Sequence, residues 1–265
     1  MYLPPTDSFP KAKAAAMRAL ELEDTLAEAH AALAYAEFFD WDWLSAEREF
    51  KRAIELNPNS ALSHARYAEC LKTRLQFNES IAEAQRGQEL DPLSPDIAGQ
   101  LANVHFMARQ YDEAIAQFQK ALDLNPNIPV LRGELGFAYG MKRMYPQAIA
   151  EFDKIPDQDK VTSGNQFVAG MLGWLYAVSG RRSEALKIAQ EFEDLSAHAY
   201  VDFYWPATVY VGLGDNDEAF RFLEKGYQEH AASMPYLAVD PFWYGLHTDP
   251  RYIDLLRRME LPKPE

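Results

Sequence analysis

Cysteine is almost missing from this chain: Cys70 is the only one in 265 residues. That excludes an internal disulfide and any zinc site built on cysteines, and it leaves the redox compartment open. Basic residues are in deficit too. Lys and Arg number 26 against 40 Asp and Glu, for a formal charge of −14 and a pI near 4.9. A chain so short of positive charge lacks the basic face that phosphate neutralisation requires, which argues against nucleic acid and against an anionic membrane surface. Its partners are expected to be basic or apolar. Long apolar runs are absent. The longest, Phe167 to Val178, has 12 residues, about the length of a buried core helix and short of the roughly 20 needed to cross a bilayer. The opening residues MYLPPTDSFPKAKAAAMRAL hold no apolar signal region, so the chain is expected to be soluble and not to insert in a membrane. Catalytic signatures are missing as well: there is no GxxxxGK[ST] loop, no GxGxxG after a strand, no GxSxG and no HExxH.

What is present is a period. Pro58, Pro92 and Pro126 stand 34 residues apart and close three similar phrases, AIELNP, GQELDP and ALDLNP. A fixed period of this length with helical text between is the pattern of a helix–turn–helix solenoid. Registered on the prolines, a small slot early in the second helix reads Ala46, Ser80, Ala114, Ala148. Four residues on stand Phe50, Ala84, Phe118 and Phe152, and three further Ala53, Gly87, Ala121 and Ile155. In the first helix, adjacent positions read Leu33, Tyr67, Leu101, Leu135 and Ala34, Ala68, Ala102, Gly136. Small residues let the two helices of a hairpin approach, aromatics fill the space between hairpins, and proline ends the second helix. No hairpin buries its apolar face alone, so the units must stack.

These slots, and LGFAYGMKRMYPQAIAEF (135–152) above all, resemble the tetratricopeptide repeat family. The expected fold is an all-α helix–turn–helix solenoid coiled into a right-handed superhelix, one domain over 1–265. It divides into a half repeat at 1–26, repeats at 27–60, 61–94, 95–128 and 129–162, degenerate repeats at 166–199 and 200–233, and a C-terminal cap at 234–265. The half repeat is read from Ala12, Ala16 and Ala19, which match the second-helix slots one period back. A second helix without its first predicts a chain cut from a longer protein, with homodimerisation through the open end as a consequence. In the cap, two Asp-Pro pairs predict helix starts, and Tyr252, Leu255, Leu256 and Met259 are expected to lie on the last hairpin. The ending, and the unit AEAHAALAYAEFFDWDWLSAEREFKRAIELNP (27–58), resemble C-terminal repeat regions of multidomain bacterial regulators of winged-helix or kinase type; the compartment stays open, cytoplasmic or, on a membrane-anchored regulator, periplasmic.

The stretch EFFDWDW (37–43) concentrates four large aromatics. Trp43 falls in the slot of Phe77, Tyr111 and Tyr145 and reads as core. Trp41 occupies the hairpin turn held by Gly180 and Gly214 in the last units, and reads as a lid over the preceding hairpin. Asp40 and Asp42 read as turn and cap residues rather than metal ligands. His30 and His64, one period apart, would sit roughly 10 Å from each other, far for a shared metal, and read as packed and hydrogen-bonded. No cofactor and no catalytic residue is implied.

In the family, ligands meet recurrent positions on the first helices. Carried over, those positions offer Tyr35, Phe38 and Phe39; then Glu69 and Lys72; Asn103, Phe106 and Met107; Phe137 and Met141; Phe167 and Trp174; and Tyr204. The basic-plus-asparagine set with which chaperone-binding members hold a terminal carboxylate is not reproduced, since only Lys72 and Asn103 come near it. The wall is instead rich in aromatics and Met, which suits an adaptable contact with a helix or extended peptide. A tight superhelix that buries these side chains against each other or against the C-terminal segment is the alternative. The resemblance implies a non-catalytic protein-interaction scaffold; a homo-oligomerisation module and a small-molecule sensor around Phe137, Phe167 and Trp174 remain the other readings.

Overall fold

Helix pairs follow one another along the chain with a short turn inside each pair, and the computed structural model describes residues 5–160 and 164–264. Helix α1 (Pro5–Leu22) leads into hairpins α2/α3 (Ala27–Phe39, Trp43–Leu56), α4/α5 (Ala61–Thr73, Phe77–Leu90), α6/α7 (Pro95–Met107, Tyr111–Leu124) and α8/α9 (Pro129–Met141, Tyr145–Asp153). A four-residue turn of helix, α10 (Asp157–Lys160), precedes hairpins α11/α12 (Gln166–Val178, Arg182–Ser196) and α13/α14 (Tyr204–Leu213, Asn216–Gln228). Two 3-10 turns, Met234–Tyr236 and Pro241–Leu246, then lead to α15 (Pro250–Arg258). The architecture is an all-α solenoid. Part of the expected lengthened connection after the fourth hairpin, residues 161–163, lies outside the described residues, as do residues 1–4.

Local chemistry sets the helix ends. Ser60 and Ser94 accept from the backbone N–H groups of Ser63 (3.2 Å) and Ile97 (3.3 Å), capping α4 and α6. Pro95 and Pro129 open their helices, where a missing N–H costs nothing. At each hairpin turn one residue is left-handed: Trp41 (φ 63°), Leu75 (61°), Arg109 (62°), Arg143 (59°), Gly180 (85°) and Gly214 (78°). Four hairpins therefore hold a side chain in a backbone region that favours glycine.

Packing follows the slots. Ala46, Ser80, Ala114 and Ala148 are fully buried, and Phe50, Phe118 and Phe152 fill the spaces beside them. The hydroxyl of Ser80 donates to the carbonyl of Ala68 (2.7 Å), so the polar member of the slot is satisfied. One further device recurs between the helices of a hairpin. His30 contacts Glu49 through Nδ1 (2.6 Å) and the Asp24 carbonyl through Nε2 (2.9 Å). His64 does the same with Glu83 (2.6 Å) and Pro58 (3.1 Å). Arg132 repeats it with Glu151 (3.1 Å) and Pro126 (2.9 Å). These histidines are thus structural ties, and the same place in the repeat is filled once by arginine.

The two ends of the chain are where the molecule departs from the sequence reading. Helix α1 packs on α2, with Phe9 stacked on Phe39 at 4.4 Å and Lys13 paired with Asp40 at 3.0 Å. Asp42 caps α3 through Ser45 N–H (3.2 Å). The C-terminal segment does more than cap the last hairpin. Helix α15 does lie on α14, through Arg258–Glu224 (2.9 Å) and Arg251–Asp217 (2.7 Å). But residues 230–260 also return across the concave face to the first units. Trp43 Nε1–H donates to the Met259 carbonyl (2.8 Å), and Arg74 donates to that of Glu260 (2.6 Å). Trp41 is therefore no lid over the preceding hairpin: it stacks on His230 (3.7 Å) and Tyr227 (5.5 Å), at the far end of the chain. The first Asp-Pro pair, Asp240-Pro241, starts only a 3-10 turn, because Phe242 and Trp243 are drawn into the core there.

Candidate functional site

With the C-terminal segment laid across it, the concave face keeps a cavity of about 590 Å³. One wall is made of the first helices α4, α6 and α8, and the opposite wall of the two 3-10 turns. Aromatic side chains from both meet at its floor. Phe242 stacks on Phe137 (4.2 Å) and stands edge-on to Trp174 (5.5 Å), and Phe137 also packs on Phe106 (4.9 Å). The cavity opens at the N-terminal ends of the first helices. There Leu62 is 59 % exposed, and Asp96, Val130 and Phe167 share the rim.

Several ionisable groups are built into this apolar chamber. Glu69 accepts from the Tyr236 hydroxyl through one oxygen and from Arg66 (3.1 Å) through the other. The Arg66 guanidinium also lies over the Tyr35 ring, 4.0 Å from its centre. Lys72, only 3 % exposed, donates from Nζ to Asn103 Oδ1 and rides 5.3 Å from the Tyr236 ring centre. Asn103 Nδ2 in turn donates to Glu134 (2.7 Å). Burial holds the Lys72 ammonium below its ordinary pKa despite the carboxylates of Glu69, Glu134 and Asp240 around it. Burial also pushes Glu134 up to about 7, against the pull of Lys72 and the Asn103 hydrogen bond. Glu134 is deep in the molecule, and the surface it keeps faces the cavity. Asp240, bound by the Tyr204 hydroxyl (2.9 Å), is pushed by burial to about 7.

Of the residues carried over from the family, Phe39, Glu69, Lys72, Asn103, Phe106, Met107, Phe137 and Phe167 line this cavity. Five do not. Tyr35 is turned to Arg66. Phe38 is packed among Phe39, Trp43 and Tyr236. Met141 is half-buried against the core, and Trp174 lies behind Phe137. Tyr204 is fully buried, its hydroxyl held between Asp240 and the Trp243 indole (2.8 Å). Sequence reasoning passed over Arg66, Glu134, Tyr236, Asp240 and Phe242. Glu134 carried one visible sign, a lone carboxylate between glycines in the apolar phrase GELGFAYG (133–140). The residues of the C-terminal segment carried none. Among the described residues no group of His, Cys, Asp and Glu is arranged to hold a metal, and no helix is long and apolar enough to cross a membrane.

Comparison with known proteins agrees with this architecture. Residues 95–128 match the tetratricopeptide repeat family. No curated protein matches the chain by sequence. Among solved structures it is similar to pilF of Pseudomonas aeruginosa, at 22% identity over 73% of this chain and 87% of that one, with a TM-score of 0.55. It is similar to a tetratricopeptide repeat protein from Parabacteroides merdae, at 16% identity over 88% and 92% of the two chains, with a TM-score of 0.52. A chain of the APC/C hetero-tetramer Cut9-Hcn1 matches at 16% identity over 96% of this chain and 46% of its own length, with a TM-score of 0.60. At these identities the likeness is one of fold.

Proposed function

We propose that this tetratricopeptide-repeat solenoid is a non-catalytic interaction module that takes a peptide segment of a partner protein into its concave face. Proteins built of such repeats generally mediate protein–protein contacts, and the observation that carries the reading here is the cavity. A self-filled groove would leave no space, yet about 590 Å³ remains under the C-terminal segment, open at a rim where Leu62, Val130 and Phe167 stand beside Asp96. That volume is within the range of specific ligand pockets and suits one or two inserted side chains. An exposed apolar rim next to a concave chamber is the usual mark of a contact surface. The chain's surplus of carboxylates favours basic flanking residues in the partner.

An array of synthetic peptides, each made with a free and with an acetylated N-terminus, probed with the protein and followed by fluorescence anisotropy on the hits, tests this reading. Leu62→Asp is the informative variant, because Leu62 is exposed at the first turn of α4, where an acidic residue suits the helix dipole and leaves folding intact. Peptides whose affinity drops about tenfold or more in the variant support the concave site. Absence of binding, or binding indifferent to Leu62, overturns it. Self-association is a second reading, favoured by Met17 and Leu22 exposed on α1. Light-scattering mass over a wide dilution, with and without residues 1–26, decides it.

A further inference from the structure

The three polar groups at the centre of the cavity form a chain with free ends. The Asn103 carboxamide turns its oxygen to the Lys72 ammonium and its NH2 to Glu134 Oε1, so a cation and a carboxylate face the same amide from its two sides. Neither is used up. An ammonium has three donors and Lys72 spends one, on a neutral acceptor; among the described residues no carboxylate reaches it at ion-pair distance. The second oxygen of Glu134 has no protein partner among the described residues. Both side chains line the cavity. A second group carrying an acceptor beside a donor would meet Lys72 and Glu134 from the cavity side as Asn103 meets them from the protein side.

Charge narrows the choice. A ligand of one sign would satisfy one of the pair and face its like in the other, whereas a ligand carrying both completes them together. Charged partners also bind a buried ammonium and carboxylate more strongly than neutral ones do. The space beyond the pair is apolar, walled by Leu131, Phe106, Phe137, Met171, Trp205 and Phe242. We propose that the cavity binds an α-ammonium group next to a carbonyl or carboxylate oxygen, on a carbon bearing a large apolar side chain. The ammonium sits on Glu134, the oxygen on Lys72, and the side chain on the aromatic floor. This chemistry has two sources, a free hydrophobic amino acid and the N-terminal residue of a peptide whose chain leaves past Leu62. The inference rests on the reading that the concave face is the binding site, and it adds what that site recognises.

The test is isothermal titration and thermal-shift measurement on the full chain with L-leucine, L-methionine, L-phenylalanine, Leu-Gly-Gly, and the N-acetylated forms of leucine and Leu-Gly-Gly. The expected result is binding of the unblocked compounds and a loss of about tenfold or more on acetylation, which removes the charge Glu134 pairs. Binding of leucine and Leu-Gly-Gly alike identifies a peptide N-terminus as ligand, and binding of the free amino acids alone identifies the small molecule. Lys72→Met and Glu134→Gln should each lower affinity by a similar factor, with unliganded melting and circular dichroism reporting that the fold is kept. If one variant does not fold, the other carries the comparison. No binding by any unblocked compound overturns the proposal, as does equal affinity of blocked and unblocked forms. Acetylated array peptides that bind through Leu62 and gain nothing from a free N-terminus would sink this inference while leaving the concave site standing.

Discussion

At the scale of single residues the recurring left-handed turn shows what the chain tolerates. A side chain there costs roughly 1–2 kcal/mol against glycine through contact of Cβ with the next carbonyl, less the entropy glycine loses on folding. Arg143 is exposed and sits at such a turn with φ 59°, so Arg143→Gly should stabilise the protein by about 0.5–1 kcal/mol, read as a rise in the urea midpoint at unchanged slope. At Trp41 the same strain is kept because the ring does something no glycine does, which is to stack on His230 and Tyr227. The sign was readable beforehand: a tryptophan at a place that favours glycine is held there by a contact elsewhere. Which contact could not be read, since its partners lie 186 and 189 positions away in sequence.

At the scale of the helix and the hairpin, the sequence was close to sufficient. Spacing, slots, caps and stops are local, so Ala46, Phe50 and Pro58 and their counterparts one and two periods on announce the same unit wherever they recur. The slots also say where size is forbidden. A Cβ added to Gly136 would come within 2.7 Å of the Phe152 ring and 3.2 Å of the Ala148 carbonyl. Gly136→Ala gains about 1 kcal/mol of helix propensity but forces apart α8 and α9, and overpacking of this kind costs about 1–3 kcal/mol. A net loss in thermal stability is expected, and a melting curve checks it. The candidate site was legible to the same depth. Eight of the residues carried over by register line the cavity, because register fixes which face of a first helix looks inward. The opposite wall was not legible, because Tyr236, Asp240 and Phe242 belong to a non-repeating segment whose path depends on how far the superhelix has turned.

For the molecule as a whole, buried carboxylates set the pH response. Burial raises Glu134 and Asp240 to about 7 and Asp202 to about 6, above the ordinary carboxylate values near 4 that the unfolded chain regains. A raised acid pKa means that the folded state holds the proton more tightly, so ionisation above pH 7 is a penalty that is relieved as pH falls toward the unfolded value. His247, held below 6.5 by burial and Arg109, opposes this as pH drops through 6.5. The carboxylates outnumber it, so urea midpoints should rise from pH 8 to about 5.5. Asp240→Asn should flatten the rise. A midpoint that falls steadily over that range would contradict the assignment. The contact between the chain's two ends is testable at the same scale. Trp41→Ala removes a stacked ring and should cost about 1–3 kcal/mol, with hydrogen exchange speeding up in α14 and α15 as well as in α2.

A stack of repeats joined only to its neighbours behaves as a spring, whose pitch can open or tighten to suit what it holds. Here Trp41 and Trp43 fasten the first coil to the last, through His230, Tyr227 and the Met259 carbonyl. A fastened spring has no free travel. Its aperture is a fixed gauge, so selection at the rim is by the size and charge of what passes through it, and a pull between Trp43 and Met259 loads the clasp before it unwinds the coils between them.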